Sequence, residues 1–227
     1  MDQNIPEHTK FWKDIKPEKG VSNNPTRYSR ELHMDRGKNI FTELKNLKIS
    51  NGKSQSQSDV QPKASLGNIL EIGCNCGRNL EFLRRNNFTN LTGIDINKHA
   101  FEHMNEVYPE LYKLTTKKIG LIENVIDTID NIYDVSFTIA VLMHIDKKER
   151  SKIYKWLSTH SRYIIFIEPY FEEGTRRIKE GRLVDNKIDP RDELTKLGFK
   201  LIRFSDLYYE CALKKFKMLV MKNTKIL

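Results

Sequence analysis

The nine residues EIGCNCGRN (71–79) hold two thiols, a carboxylate and two glycines, the densest set of chemically capable groups in the chain. A thiolate metal site usually needs four ligands at zinc-like spacing, and the only other cysteine is Cys211. No metal is therefore expected. A redox pair needs two intervening residues, whereas only Asn75 separates Cys74 from Cys76. A helix beginning at Arg78 could lower the Cys76 thiol pKa and make it modestly reactive, a property that function does not require. Phosphate cradling fits poorly. A dinucleotide loop reads G-x-G-x-x-G and a Walker loop ends in G-K-[ST], while this chain reads G-C-N-C-G-R. What remains is a glycine loop. Gly73 and Gly77 let the backbone turn tightly and approach a ligand without a Cβ, and Asn75 is a residue type that tolerates left-handed angles. The cysteines read as small fillers.

Three further titratable residues stand where apolar runs stop. Asp95 ends LTGID, His144 follows YDVSFTIAVLM, and Glu168 ends YIIFIE. Asp95 alone reads as a strand-end cap. His144 reads either as a buried histidine bonded to backbone or as a general base taking a proton from a substrate hydroxyl, a role that its unperturbed pKa suits. Glu168 either pairs with a surface lysine or lines a substrate cavity.

These residues need elements to hold them. Short apolar runs at 68–73, 91–96, 133–143 and 163–170 predict buried strands, and 112–118 predicts a shorter one. Helical spacing falls at 78–87, 98–108, 121–130, 147–160 and 191–198, and FKLIRFSDL and CALKKFKMLVMK predict two strands near the terminus. Strands alternating with helices of this length predict βαβ units and an α/β sheet, mostly parallel and covered on both faces. Ligands of such sheets sit beyond the carboxyl ends of the strands, which gathers residues 73–78, 95–97, 120–123, 140–145 and 168–171 around one crevice. Upstream, residues 28–47 predict a helix. Residues 50–66, rich in Ser and Gln, predict a flexible linker. The expected division is 1–49 as an N-terminal helical segment and possible lid, 50–66 as linker, and 67–227 as the main domain. Phe11 and Trp12 read as packing anchors.

The bulk numbers narrow the class. The chain has 227 residues, 38% hydrophobic and 30% charged, with a net charge of +9. No apolar run approaches the ~20 residues of a membrane span, no signal core opens the chain, and three cysteines form no disulfide framework. A cytoplasmic protein without membrane partners is expected. The basic residues are dispersed, with no block interleaved with aromatics, so the charge reads first as the mark of a lysine-rich proteome, with an acidic ligand or nucleic acid as the functional alternatives.

The spacing E-x-G-x-x-x-G at a first strand, followed by the acid in GIDIN, resembles motifs I and II of class I S-adenosylmethionine-dependent methyltransferases. That family usually carries E/D-x-G-x-G-x-G, so Asn75 departs at the middle glycine. IYDVSFTIAVLMHI (132–145) resembles the fourth-strand motif, and LGFKLI (197–202) resembles the entry to the sixth strand. EIGCNCGRNLEFL and VLMHI together most resemble small-molecule methylases of sugar and surface-polysaccharide biosynthesis, those associated with pseudaminic acid among them.

The resemblance implies a Rossmann-like doubly wound sheet of seven strands, mostly parallel with a C-terminal antiparallel strand. It implies S-adenosyl-L-methionine as cofactor. Asp95 would accept from both ribose hydroxyls, a task for two acceptor oxygens. Glu71 would organise the loop and help bind the amino group. Gly73, Cys74, Asn75 and Gly77 would lie along the methionine part, with Ile96, Leu121 and Ala140 as further cofactor contacts. Residues 23–37 read either as a helix packed on the domain for stability or as a lid bringing Tyr28 and Arg30 to the cofactor carboxylate, Arg by paired donors. His144 and Glu168 would be the catalytic pair. The [DN]-P-P-[YFW] motif of exocyclic-amine methylation is missing after the fourth strand, where the chain reads AVLMH, and no Pro-Cys nucleophile occurs. A small-molecule acceptor, an oxygen of a sugar or other anionic metabolite, is therefore favoured. An RNA or protein methyltransferase and a catalytically silent binding subunit remain open, as does the oligomeric state.

Overall fold

The computed structural model describes residues 7–16, 35–49, 67–169, 176–179, 182–185, 188–209 and 214–226. Among them is a seven-stranded sheet built from β1 (Ile69–Ile72), β2 (Leu91–Asp95), β3 (Thr116–Ile119), β4 (Tyr133–Ile139), β5 (Ser161–Glu168), β8 (Phe199–Tyr209) and β9 (Lys214–Asn223). Two further strands, β6 (Arg176–Lys179) and β7 (Arg182–Asp185), pair antiparallel as a separate hairpin. The order across the main sheet is β3-β2-β1-β4-β5-β9-β8. β1 to β5 pair in parallel, and β9 runs antiparallel to both β5 and β8. The order reverses between β1 and β4, so the loops after β1, β2 and β4 flank one crevice at the switch point.

Alternation along the strands divides the core in two. Ile69, Val135, Phe137, Ile165 and Ile167 face one side, packed with Leu80 and Leu83 of the Arg78–Arg85 helix. Leu70, Ile72, Ile94, Ile164 and Phe166 face the other, against Ile153 and Leu157 of the Lys147–His160 helix. The N-terminal helix Asp35–Asn46 buries Ile40 and Leu44 in the first of these clusters and bonds the rest through Glu43, whose Oε1 accepts from Arg203 Nη1 at 2.7 Å. Each such fully buried aliphatic side chain contributes about 1.5–3 kcal/mol.

Several expectations change here. Residues 112–114 are helical, because Pro109 opens a short helix (Pro109–Leu114) before β3 begins at Thr116. β4 stops at Ile139 rather than 143, since Ala140 takes a left-handed φ of 57° and the chain then turns through Leu142–His144. Residues 7–14 form a helix within the segment expected to be helical, though no bounds were given for it, and the β6–β7 hairpin was missed. The predicted linker 50–66 and the first part of the predicted helix 28–47 lie outside the described residues. No helix among the described residues is long and apolar enough to cross a membrane.

Candidate active site

The glycine loop is shaped by backbone bonds to β2. The N–H groups of Gly73 and Cys74 both donate to the Ile94 carbonyl, at 2.8 and 3.0 Å, and Gly77 N–H closes back onto the Cys74 carbonyl at 2.9 Å. Gly73, Asn75 and Gly77 have φ of 72°, 49° and 75°. The departure at Asn75 therefore preserves a left-handed position, helped by its side-chain oxygen, which accepts from Cys76 N–H at 2.8 Å.

Both glycines turn the backbone as expected, and they have a second job. A Cβ on Gly73 would stand 2.3 Å from Val141 Cγ2, and one on Gly77 would stand 2.5 Å from Met104 Cε. Their missing side chains make room for neighbouring protein: at Gly73 the loop after β1 nests against the loop after β4.

Cys74 and Cys76 are buried fillers, and Cys74 Sγ occupies the space a Cβ on Gly93 would need. Burial pushes the Cys74 thiol well up and the Cys76 thiol up to about 12. The expected thiol reactivity of Cys76 is corrected on this point: desolvation outweighs the neighbouring Arg78 and the helix start.

Asp95 joins the loop to the end of β2. Its Oδ2 accepts from Asn75 N–H at 2.7 Å and its Oδ1 from Asn97 N–H at 2.8 Å, with the Ile96 N–H also on the carboxylate, which keeps acceptor capacity for a further donor. Burial raises its pKa to about 6, opposed by those N–H bonds. Gly120 N–H, just before Leu121, donates to the Asp95 carbonyl at 3.0 Å, and Ile96 is partly exposed beside it.

Glu71 is buried one turn of loop away. Its Oε1 accepts from Asn79 Nδ2 at 2.6 Å, tying β1 to the helix after the loop, while Oε2 has no hydrogen-bond partner among the described residues. Burial pushes this carboxyl up to about 8, against the Asn79 bond and the Arg78 charge.

Glu168 meets neither of its two expected descriptions in full. No lysine bridges it among the described residues; its Oε1 instead accepts from Val141 and Leu142 N–H, at 3.0 and 3.1 Å, and so holds the turn after β4. Its Oε2 is buried without a hydrogen-bond partner among the described residues, and burial raises the group to about 7.

His144 closes that turn, half-buried, with its ring 4.6 Å from that of Trp12. Trp12 comes from the Glu7–Asp14 helix, whose following residue Ile15 accepts at its carbonyl from Asn97 Nδ2 at 2.8 Å. The N-terminal helix thus touches the rim after β2 and the rim after β4. Ala140 sits between, at a strained φ of 57° that costs about 1–2 kcal/mol for a residue with a Cβ. Tyr28 and Arg30, and all of the expected lid but residues 35–37, lie outside the described residues.

Sequence reasoning missed Asn79 and Arg150, and reached Asn97 and Val141 only as members of the crevice segments 95–97 and 140–145. Asn97 alone left a local signal, an Asn just before a helix, and it does cap that helix by accepting from His99 and Ala100 N–H.

The arrangement suits a cationic ligand with a diol: buried acids with open acceptor positions around a left-handed loop. Among the described residues no cluster of His, Cys, Asp or Glu is built to hold a metal. Residues 70–160 match the family model described as a methyltransferase domain. No curated protein sequence matches the chain. Solved structures share its fold. The glycopeptide N-methyltransferase MtfA with S-adenosylmethionine superposes with a TM-score of 0.59 at 10% identity, covering 84% of this chain and 86% of its own. Magnesium protoporphyrin IX methyltransferase ChlM of Synechocystis PCC 6803 gives 0.59 at 15%, covering 91% and 87%. An S-adenosylmethionine-dependent methyltransferase of Clostridium acetobutylicum ATCC 824 gives 0.61 at 12%, covering 87% and 94%.

The sheet order and the similar structures define the fold, the Rossmann-like one that S-adenosylmethionine-dependent methyltransferases share, and residues 70–160 are the part that matches a methyltransferase domain. Methyl transfer is the activity that the matched segment supports.

Proposed function

We propose that the protein moves a methyl group from S-adenosylmethionine to a small-molecule acceptor, an oxygen of a sugar or other anionic metabolite. The observation that carries the cofactor reading is Asp95: a carboxylate held at the end of β2 by the Asn75, Ile96 and Asn97 amides, with acceptor capacity left for a ribose diol. The similar structures named for a glycopeptide and a magnesium porphyrin support a small acceptor. The net charge of +9 supports an anionic one.

The bound cofactor supplies an electrophilic methyl on a sulfonium. The chain then has to align the acceptor, exclude water and accept a proton. Glu71 offers its unpartnered Oε2 to the amino group, and the loop from Gly73 to Gly77 lies along the methionine part. Tyr28 and Arg30 meet the carboxylate in this reading. His144, beside Trp12, takes the proton of an acceptor hydroxyl.

Asp95→Ala is expected to weaken cofactor binding by about 1–3 kcal/mol, through loss of charge-assisted bonds. Titration calorimetry with S-adenosylmethionine checks it, with a melting curve alongside because the same change frees Asn75 and Asn97; unchanged affinity would sink the ribose assignment. His144→Ala is expected to lower turnover far more than cofactor affinity. Turnover at the wild-type level across the pH range would return His144 to a packing role.

A further inference from the structure

Arg150 is a buried residue of the Lys147–His160 helix that serves two other elements at once. Its Nη1 donates to the carbonyls of Leu142 and Ile145, at 3.2 and 2.7 Å, and its Nη2 donates to Asp185 Oδ2 at 2.9 Å. Asp185 ends β7 and is buried as well. The turn that carries His144 is therefore gripped at both ends. Glu168 takes its leading N–H groups and Arg150 takes its trailing carbonyls, each charge matching the sign of the backbone dipole it meets.

A three-residue turn of this kind has little stability of its own, so the grip decides where the His144 ring stands. Energetics point the same way. Burying an ion pair costs desolvation that an apolar pair would avoid, so the pair is weak evidence of a purely stabilising role. What apolar residues could not reproduce is a planar fork reaching two carbonyls and a carboxylate, and a lysine ammonium cannot span them either.

We propose that Arg150 is a positioning residue for the acceptor side of the site: through the Leu142 and Ile145 carbonyls it sets the His144 ring against Trp12, and through Asp185 it fastens the β6–β7 hairpin to the same turn. The role of that placement rests on the reading of His144 as the base; the placement itself does not.

The test reads the histidine ring protons of the full-length chain by NMR, with His144→Gln to assign the signal and Trp12→Leu to calibrate it. In the wild type the His144 protons should lie upfield, shielded by the Trp12 ring. Arg150→Lys keeps the charge but not the fork, and is expected to lose that displacement while S-adenosylhomocysteine affinity, measured by calorimetry on the same sample, holds. Should Arg150→Lys fail to fold, Asp185→Ala releases one arm of the fork and is expected to move the signal the same way. If the variants melt earlier yet leave the His144 signal at its wild-type position, Arg150 is structural only and the proposal is overturned. Absence of S-adenosylhomocysteine binding by the wild type would overturn the functional reading instead, with the His144 signal still deciding the placement.

Discussion

Cofactor affinity should fall on the order of tenfold to a hundredfold between pH 8 and pH 6, with Glu71 responsible for most of the loss. In the ligand-free protein this carboxyl is pushed up to about 8 by burial, so it holds its proton over that range. An ammonium placed beside its open Oε2 favours the carboxylate. Binding must then expel the proton, and each unit of pH below the ligand-free value costs about a factor of ten. Asp95, raised to about 6 and placed at the ribose hydroxyls, acts in the same direction.

The sign reverses for the ligand-free fold. Because these pKa values, and that of Glu168, are raised above their ordinary ones, the stability the groups contribute is fully present below about pH 4. It is lost as pH climbs through their folded values of about 6, 7 and 8. Melting temperature without cofactor should therefore drop over this window, while the stabilisation by cofactor grows. Calorimetry in buffers of different ionisation heat would show proton release near neutral pH, and Glu71→Gln should flatten the profile. Constant affinity with no proton release would contradict the placement of Glu71 beside the amino group.

Gly73→Ala is expected to destabilise the protein by about 2–5 kcal/mol and to abolish cofactor binding. Two costs add. The backbone sits at φ 72°, unfavourable for any residue with a Cβ, and the new methyl would lie 2.3 Å from Val141 Cγ2 and 3.0 Å from Cγ1. Val141 cannot step aside easily: it is β-branched, and its N–H is held by Glu168. Adding Val141→Ala should return the steric part, about 1–3 kcal/mol, and leave the conformational part. Gly77→Ala should cost less, since the atoms its Cβ meets are the ends of the flexible Met104 and Leu111 side chains. Denaturant melts of the single and double variants decide it. A Gly73→Ala protein as stable as the wild type, or a double variant no better than the single, would rule out the Val141 contact as the cause.

The strands were readable because fully buried parallel strands are runs of apolar residues, and ILEI, LTGID and YDVSFTI leave no solvent face to mask the pattern. Asp95 was readable for the same reason, as the polar residue that interrupts such a run. The segment 112–118 was misread because its apolar residues carry too little period to separate helix from strand; Pro109 at the first helical position was the better signal. Cys76 was misread because the position before a helix was visible and the burial was not.

Local order in the chain thus set the strand–helix alternation, the left-handed loop at Gly73, Asn75 and Gly77, and the acid at the end of the second strand. Each depends on the conformational preference or polarity of residues that are neighbours in sequence. Folding set the rest. The pairs Gly73 with Val141, Glu168 with the 141–142 amides, Arg150 with Asp185 and Trp12 with His144 join residues far apart in the chain. Each member meets its partner only when the sheet brings the strand ends together, and burial there raises the pKa values of Glu71, Asp95 and Glu168.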